Sequence, residues 1–139
     1  MIKNKQNESY KIQIYNKYQS QNKKMNQDIK ILQSKISSFC EERDWDKFHT
    51  PKNLAISICL EAAELLENFQ WAKEDLILNK DNVVKISDEI ADVLIYSIRL
   101  CEILGLEPIE IVNKKIEKNG VKYPVKLSKG KSEKYTDLK

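Results

Sequence analysis

The sequence predicts an all-α fold, a bundle of four helices, and three observations carry that prediction. Apolar residues recur at three- and four-residue intervals in four successive stretches, the period of a helix with one buried face. Only 3 Gly and 3 Pro occur in 139 residues, too few to punctuate the many short strands of an all-β domain. Helix-start and helix-stop residues fall between the periodic stretches, where a bundle needs its turns.

Taken in order, residues 1–26 are rich in Lys, Asn and Gln, show no helical period, and read as a poorly ordered extension. They hold no Arg and no apolar block, which argues against a transit peptide or a secretory signal and favours a cytoplasmic protein. Met25, where the segment ends, is an alternative start. The domain proper then occupies 27–139. Its first helix carries Ile29, Ile31, Leu32, Ile36 and Phe39 and ends near Arg43. Asp44 to Thr50 is a polar-aromatic loop. Thr50-Pro51 opens the second helix, with Thr as N-cap and Pro at the first helical position. That helix runs to about Trp71, with Leu54, Ile58, Ala62, Leu65 and Phe69 on one face.

A polar linker around 79–82 opens the third helix, which buries Ile86, Ile90, Val93, Leu94, Cys101 and Leu104 and stops at Gly105 as a left-handed cap. Pro108 begins a shorter fourth helix ending at Gly120, and from about 121 the chain reads as an extended, basic C-terminal tail. Several apolar residues of the second and third helices fall outside a single stripe, which predicts self-association.

Composition excludes several classes. No apolar run approaches the ~18 residues of a membrane span. Cys40, Cys59 and Cys101 are widely spaced and odd in number, which fits reduced thiols rather than a zinc site or a disulfide framework. The net charge of +3 conceals an asymmetry: Lys concentrates at both ends and carboxylates between 61 and 92.

Those carboxylates form two pairs, Glu61-Ala-Ala-Glu64 and Glu89-Ile-Ala-Asp92. Residues three apart share a helix face, so each pair presents two acids together. A lone pair of this kind is ordinarily a solvated face. Here Ala62, Ala63 and Ala91 are small enough for close helix approach, and Leu60, Leu65, Ile90 and Val93 enclose the acids. Four carboxylates facing one another repel unless a cation intervenes, and all-oxygen ligation suits Mg²⁺ or Mn²⁺. Glu67 and Asp88 extend the acidic cluster.

Around these pairs stand aromatic and basic residues. Tyr96 shares a face with Glu89 and Asp92; Trp45 and Trp71 are either core residues or an aromatic slot for a base. His49, the single His, precedes a helix start and reads as loop support. Lys115 and Asn119 lie one turn apart on the fourth helix, followed by Lys122, Lys126, Lys129, Lys131 and Lys134, with Tyr135 beyond. Such a run is a solvated tail or a clamp for phosphates.

The blocks Glu-Arg-Asp-Trp45-Asp-Lys-Phe-His49-Thr-Pro51, Glu61-Ala-Ala-Glu64 through Trp71, Glu89-Ile-Ala-Asp92-Val-Leu-Ile-Tyr96, and Lys-Tyr123-Pro-Val through Lys-Tyr135-Thr-Asp-Leu resemble the dCTP pyrophosphatase branch of the MazG-like all-α NTP pyrophosphatases. The resemblance covers roughly residues 30–138. It implies a four-helix core assembled as a homotetramer with active sites between subunits. It further implies Mg²⁺ ligands at Glu61, Glu64, Glu89 and Asp92, which are then the catalytic residues, and a base pocket at Trp45 and Trp71. A sugar-side tyrosine at Tyr96 and substrate contacts at Lys115, Asn119, Lys122, Lys129, Lys134 and Tyr135 complete the expected site. The implied reaction is hydrolysis of a deoxynucleoside triphosphate, dCTP or a modified dCTP, to the monophosphate and pyrophosphate. One residue departs: Ile36 stands where a vertebrate-type member carries His, which bears on base selectivity. Two other readings compete with an enzyme. One is a helical interaction module without catalysis; the other is nucleic-acid binding through the basic ends, for which no recognition motif accompanies the lysines.

Overall fold

The computed structural model describes residues 2–71 and 80–138, all in helices, turns and irregular segments with no strand among them. The helices are α1 (Ile2–Glu41), α2 (Pro51–Glu67), α3 (Lys80–Ile103), α4 (Pro108–Lys122) and α5 (Val125–Ser128). The all-α class therefore holds.

Local chemistry explains the boundaries. Thr50 caps α2, its hydroxyl accepting from the Asn53 amide at 3.2 Å, and Pro51 occupies the first turn where no amide partner is needed. The α3 terminus closes as a Schellman motif: Leu106 N–H donates to Cys101 at 2.8 Å and Gly105 N–H to Glu102 at 3.0 Å, with Gly105 at φ +64°. Asp44 is the single non-glycine residue at positive φ, +53°, among the described residues, and it turns the chain out of α1 into the loop.

Three details differ from the sequence reading. α1 runs unbroken through 2–26, where no apolar period was expected; helical hydrogen bonding needs no buried stripe, and Ser20, Gln21, Lys23 and Lys24 are exposed. α4 continues through Gly120 to Lys122, because nothing there forces a left-handed cap. The tail is not wholly extended: 125–128 form one helical turn. Tyr135 returns beside the end of α4, its ring 5.9 Å from that of Tyr123 and 5.0 Å from Lys122 Nζ.

The main pairing is α2 with α3, and α1 packs on α3. Ser57 meets Tyr96, Glu61 meets Asp92, and Glu64 faces Glu89. One number falls as the other rises, so α2 and α3 are antiparallel. α1 and α3 are antiparallel by the same test, with Lys30 reaching Glu107 at 3.6 Å and Ser37 reaching Glu102 at 2.6 Å. The fourth helix makes no pairing of comparable extent, and its first turns share a shallow depression with Asn26 and Lys30 of α1. Its Ile111, Val112 and Ile116 are exposed.

The core is small. Ile36, Cys40 and Ile98 cluster between α1 and α3, and Leu54 is buried at the start of α2. The chain exposes 11994 Å², against roughly 7500 Å² for a compact monomer of this mass. Among the described residues no helix is long and apolar enough to cross a membrane.

Candidate active site

The antiparallel pairing of α2 and α3 brings the two acidic motifs together. Glu61, Glu89 and Asp92 are each half-buried, and one carboxylate oxygen from each lies within 4.8 Å of the others. Glu64 is exposed and outside this trio; it lines an adjoining shallow depression with Glu67, Asn68, Lys85, Asp88 and Glu89. Partial desolvation, then the charges of Glu64, Asp92 and Glu89, raise the Glu61 carboxyl above the ordinary carboxylate range. Glu89 is raised by the same causes in the same order, desolvation and then Glu64 and Asp92, with Asp88 and Glu67 adding to them. These acids repel one another at this spacing, and a cation that relieved them would be hard and oxygen-seeking. The donor set fits Mg²⁺ or Mn²⁺.

Beside the acids opens a cavity of about 420 Å³ between α1, α3 and the 42–50 loop, lined by Leu32, Ile36, Phe39, Trp45, His49 and Tyr96 among others. Its walls are mostly apolar, with a few polar groups placed among them. Asp92 lines it too, so the acidic trio and the cavity share a residue. The aromatic wall is built edge to face: Phe39 with Trp45 at 5.7 Å, Trp45 with His49 at 6.4 Å, and His49 with Tyr96 at 6.4 Å between ring centroids. Burial raises the Tyr96 hydroxyl, and the charges of Glu61 and Asp92 add to that, while a hydrogen bond with Ser57 opposes it. Burial, then the nearby Arg99, lowers the His49 imidazole against the opposing pull of Asp46. His49 Nδ1 is buried without a hydrogen-bond partner.

The expected substrate residues divide into two groups. Trp45 and Tyr96 line the cavity together. Trp71 does not; it follows α2 and is 89% exposed. Lys115, Asn119 and Lys122 lie on α4, Lys129 caps α5, and Lys134 and Tyr135 follow; none lines the cavity or the acidic trio within one chain. Ile36, flagged as the departure from the family pattern, is 7% exposed and forms part of the cavity wall.

Two residues of the site were missed or read otherwise. His49, taken for loop support, lines the cavity. Arg99 also lines it, only 6% exposed, and ion-pairs with Asp46 at 2.5 Å and with Glu102 at 2.6 Å. The signal for Arg99 was a lone cation inside the apolar run Val93–Leu104, two turns beyond Asp92.

A family model described as MazG-like matches residues 56–138. The chain is similar to dCTP pyrophosphatase 1 of rat, 35% identical over 116 residues, covering 81% of this chain and 66% of that protein. The human protein of the same name is 33% identical, again over 81% of this chain and 66% of its own length. The chain thus spans just under two thirds of the length of these relatives. The crystal structure of a pyrophosphatase from Archaeoglobus fulgidus superimposes with a TM-score of 0.59 at 44% identity, covering 68% of this chain and 91% of that one.

Proposed function

Since the chain belongs to the MazG-like family, we propose that it is a nucleoside triphosphate pyrophosphatase, dependent on Mg²⁺, that cleaves a deoxynucleoside triphosphate to the monophosphate and pyrophosphate. The observation that carries this reading is the position of Asp92, common to the acidic trio and the aromatic cavity. A nucleotide with its base and sugar in the cavity presents its phosphates to the carboxylates. The names of the rat and human relatives favour dCTP, or a modified dCTP, as the substrate.

Glu61, Glu89 and Asp92, with Glu64 at their edge, would hold the metal, which when bound supplies Lewis-acid polarisation of the phosphate and acidifies water at neutral pH. The chain's own groups do the rest. Trp45 and His49 wall the base and Tyr96 closes the sugar side, so the nucleoside is oriented and water is excluded from its apolar face. Glu64, exposed beside the trio, accepts the proton of the attacking water. Water oxygen bonds to the α-phosphorus, the bond from that phosphorus to the α,β-bridging oxygen breaks, and pyrophosphate leaves.

The catalytic domain spans 27–139, and we assign it a homotetrameric assembly. The large exposed surface, the exposed apolar residues Ile111, Val112 and Ile116 of α4 and the exposed Trp71 support this. In an assembly, Trp71 and the cations Lys115, Lys122, Lys129 and Lys134, with Asn119 and Tyr135, complete the site from a neighbouring subunit and offset the pyrophosphate charge. Ile36 in the cavity wall favours a second specificity, a base other than unmodified cytosine.

The test is pyrophosphate release across the four deoxynucleoside triphosphates, with Mg²⁺ and with chelator. Magnesium-dependent release led by dCTP is expected. No release from any of them under either condition would remove the proposal.

A further inference from the structure

Arg99 is the one buried charged residue among the described residues, and it has no part in the hydrolysis described above. Its guanidinium joins three elements. One terminal nitrogen donates to Asp46 Oδ1 at 2.5 Å, in the loop. The other donates to Glu102 Oε2 at 2.6 Å, on α3 itself, and to Ser37 Oγ at 3.2 Å, on α1. Ser37 in turn lies 2.6 and 2.7 Å from the two Glu102 oxygens.

The two arms of the fork do different things. The Glu102–Ser37 arm ties α3 to α1. The Asp46 arm ties α3 to the loop between the two aromatic groups that line the cavity, since Asp46 follows Trp45 directly and its carbonyl accepts from the His49 amide at 3.2 Å. That loop leaves α1 through Asp44 at φ +53°, the left-handed end of a Schellman turn in which Trp45 N–H donates to Cys40 at 3.0 Å and Asp44 N–H to Glu41 at 2.9 Å. Arg99 sits one turn beyond Tyr96 and two turns beyond Asp92 on the same helix. The ion pair therefore fixes the loop wall relative to the sugar side and the acids.

We propose that Arg99 and Asp46 are a positioning pair that sets substrate affinity by holding Trp45 and His49 against Tyr96, without either residue touching the phosphates. This rests on the pyrophosphatase reading of the site.

The test compares wild type, Asp46→Asn, Arg99→Lys and Glu102→Gln by steady-state kinetics with dCTP, acrylamide quenching of Trp fluorescence, and thermal unfolding. Asp46→Asn is expected to raise KM roughly tenfold with kcat held within about threefold, since loop misplacement weakens orientation before it touches chemistry. Its Trp quenching should rise, because Trp45 loses its support while Trp71 contributes equally in each protein. Arg99→Lys keeps the charge but not the fork, and should follow Asp46→Asn in KM. Glu102→Gln should lower Tm with KM unchanged. Wild-type KM and quenching in Asp46→Asn would overturn the pair. So would equal KM losses in Asp46→Asn and Glu102→Gln that track Tm, which would reduce the effect to general stability. Absence of turnover in wild type would instead count against the reading of the site, and the quenching comparison then decides on the pair alone.

Discussion

Glu61 and Asp92 face each other across the antiparallel α2–α3 pair, their carboxylate oxygens within 4.8 Å of one another and of Glu89. Three half-buried acids at that spacing repel one another unless a proton or a cation intervenes, and the proposed function gives them a metal. Asp92→Asn removes one charge at nearly constant volume. Pyrophosphate release is expected to fall by roughly 100-fold or more. The metal-free variant should melt roughly 2–5 °C higher than wild type, with unchanged helical circular dichroism. A lower Tm would show that the carboxylate holds structure together instead of straining it.

The raised Glu61 and Glu89 carboxyls make a pH prediction with a definite sign. A group whose folded pKa exceeds its unfolded one binds more protons when folded, so its stabilising effect is present at low pH and is lost as pH rises through the folded value. The metal-free protein therefore carries a cost at neutral pH that acid relieves. Magnesium held as proposed would relieve the same cost from the other direction. Thermal unfolding with and without millimolar Mg²⁺ should give a larger Mg²⁺-induced rise in Tm at pH 8 than at pH 5. The Glu89→Gln variant should lose most of that difference. A Mg²⁺ effect independent of pH would mean that the cation binds away from these acids.

Much of this arrangement is legible in the sequence. Spacing alone paired Glu61 with Glu64 and Glu89 with Asp92, because a helix has one period and three residues is nearly one turn. Thr50-Pro51 and Gly105 marked boundaries correctly because their chemistry is local. What spacing did not reveal is how the pairs meet: three acids converge while Glu64 stands to the side, a matter of how α2 is rotated against α3. Arg99 and Asp46 are 53 residues apart, and no local pattern joins them. Helix formation in 2–26 was hidden for a different reason, since backbone hydrogen bonding along a helix requires no apolar period in the sequence.

Gly105 offers a test of the fold that leaves the site alone. Its φ of +64° is one that only glycine adopts readily, and a Cβ built there meets nothing within 4 Å. The cost of Gly105→Ala is then backbone strain without a clash, about 1 kcal/mol. Tm should drop by roughly 3–5 °C if the domain unfolds in one step, while kcat and KM at 25 °C stay at wild-type values. Loss of activity without loss of stability would place the α3 terminus in the working parts of the enzyme.

Ile36 tests selectivity most directly, because it is 7% exposed and its side chain forms part of the cavity wall beside Trp45. An isoleucine there offers a base only surface contact and cannot donate or accept a hydrogen bond. A hydrogen-bonding residue at such a position discriminates strongly, since a mismatched base leaves a buried polar atom unpaired. Ile36→His puts a donor and an acceptor into the wall at some cost in packing with Cys40 and Ile98. The ratio of kcat/KM for dCTP to that for dTTP should change by roughly tenfold, with KM carrying the change and the Mg²⁺ requirement preserved. Unchanged ratios across all four deoxynucleotides, in a variant that still folds and turns over, would move base recognition away from this wall.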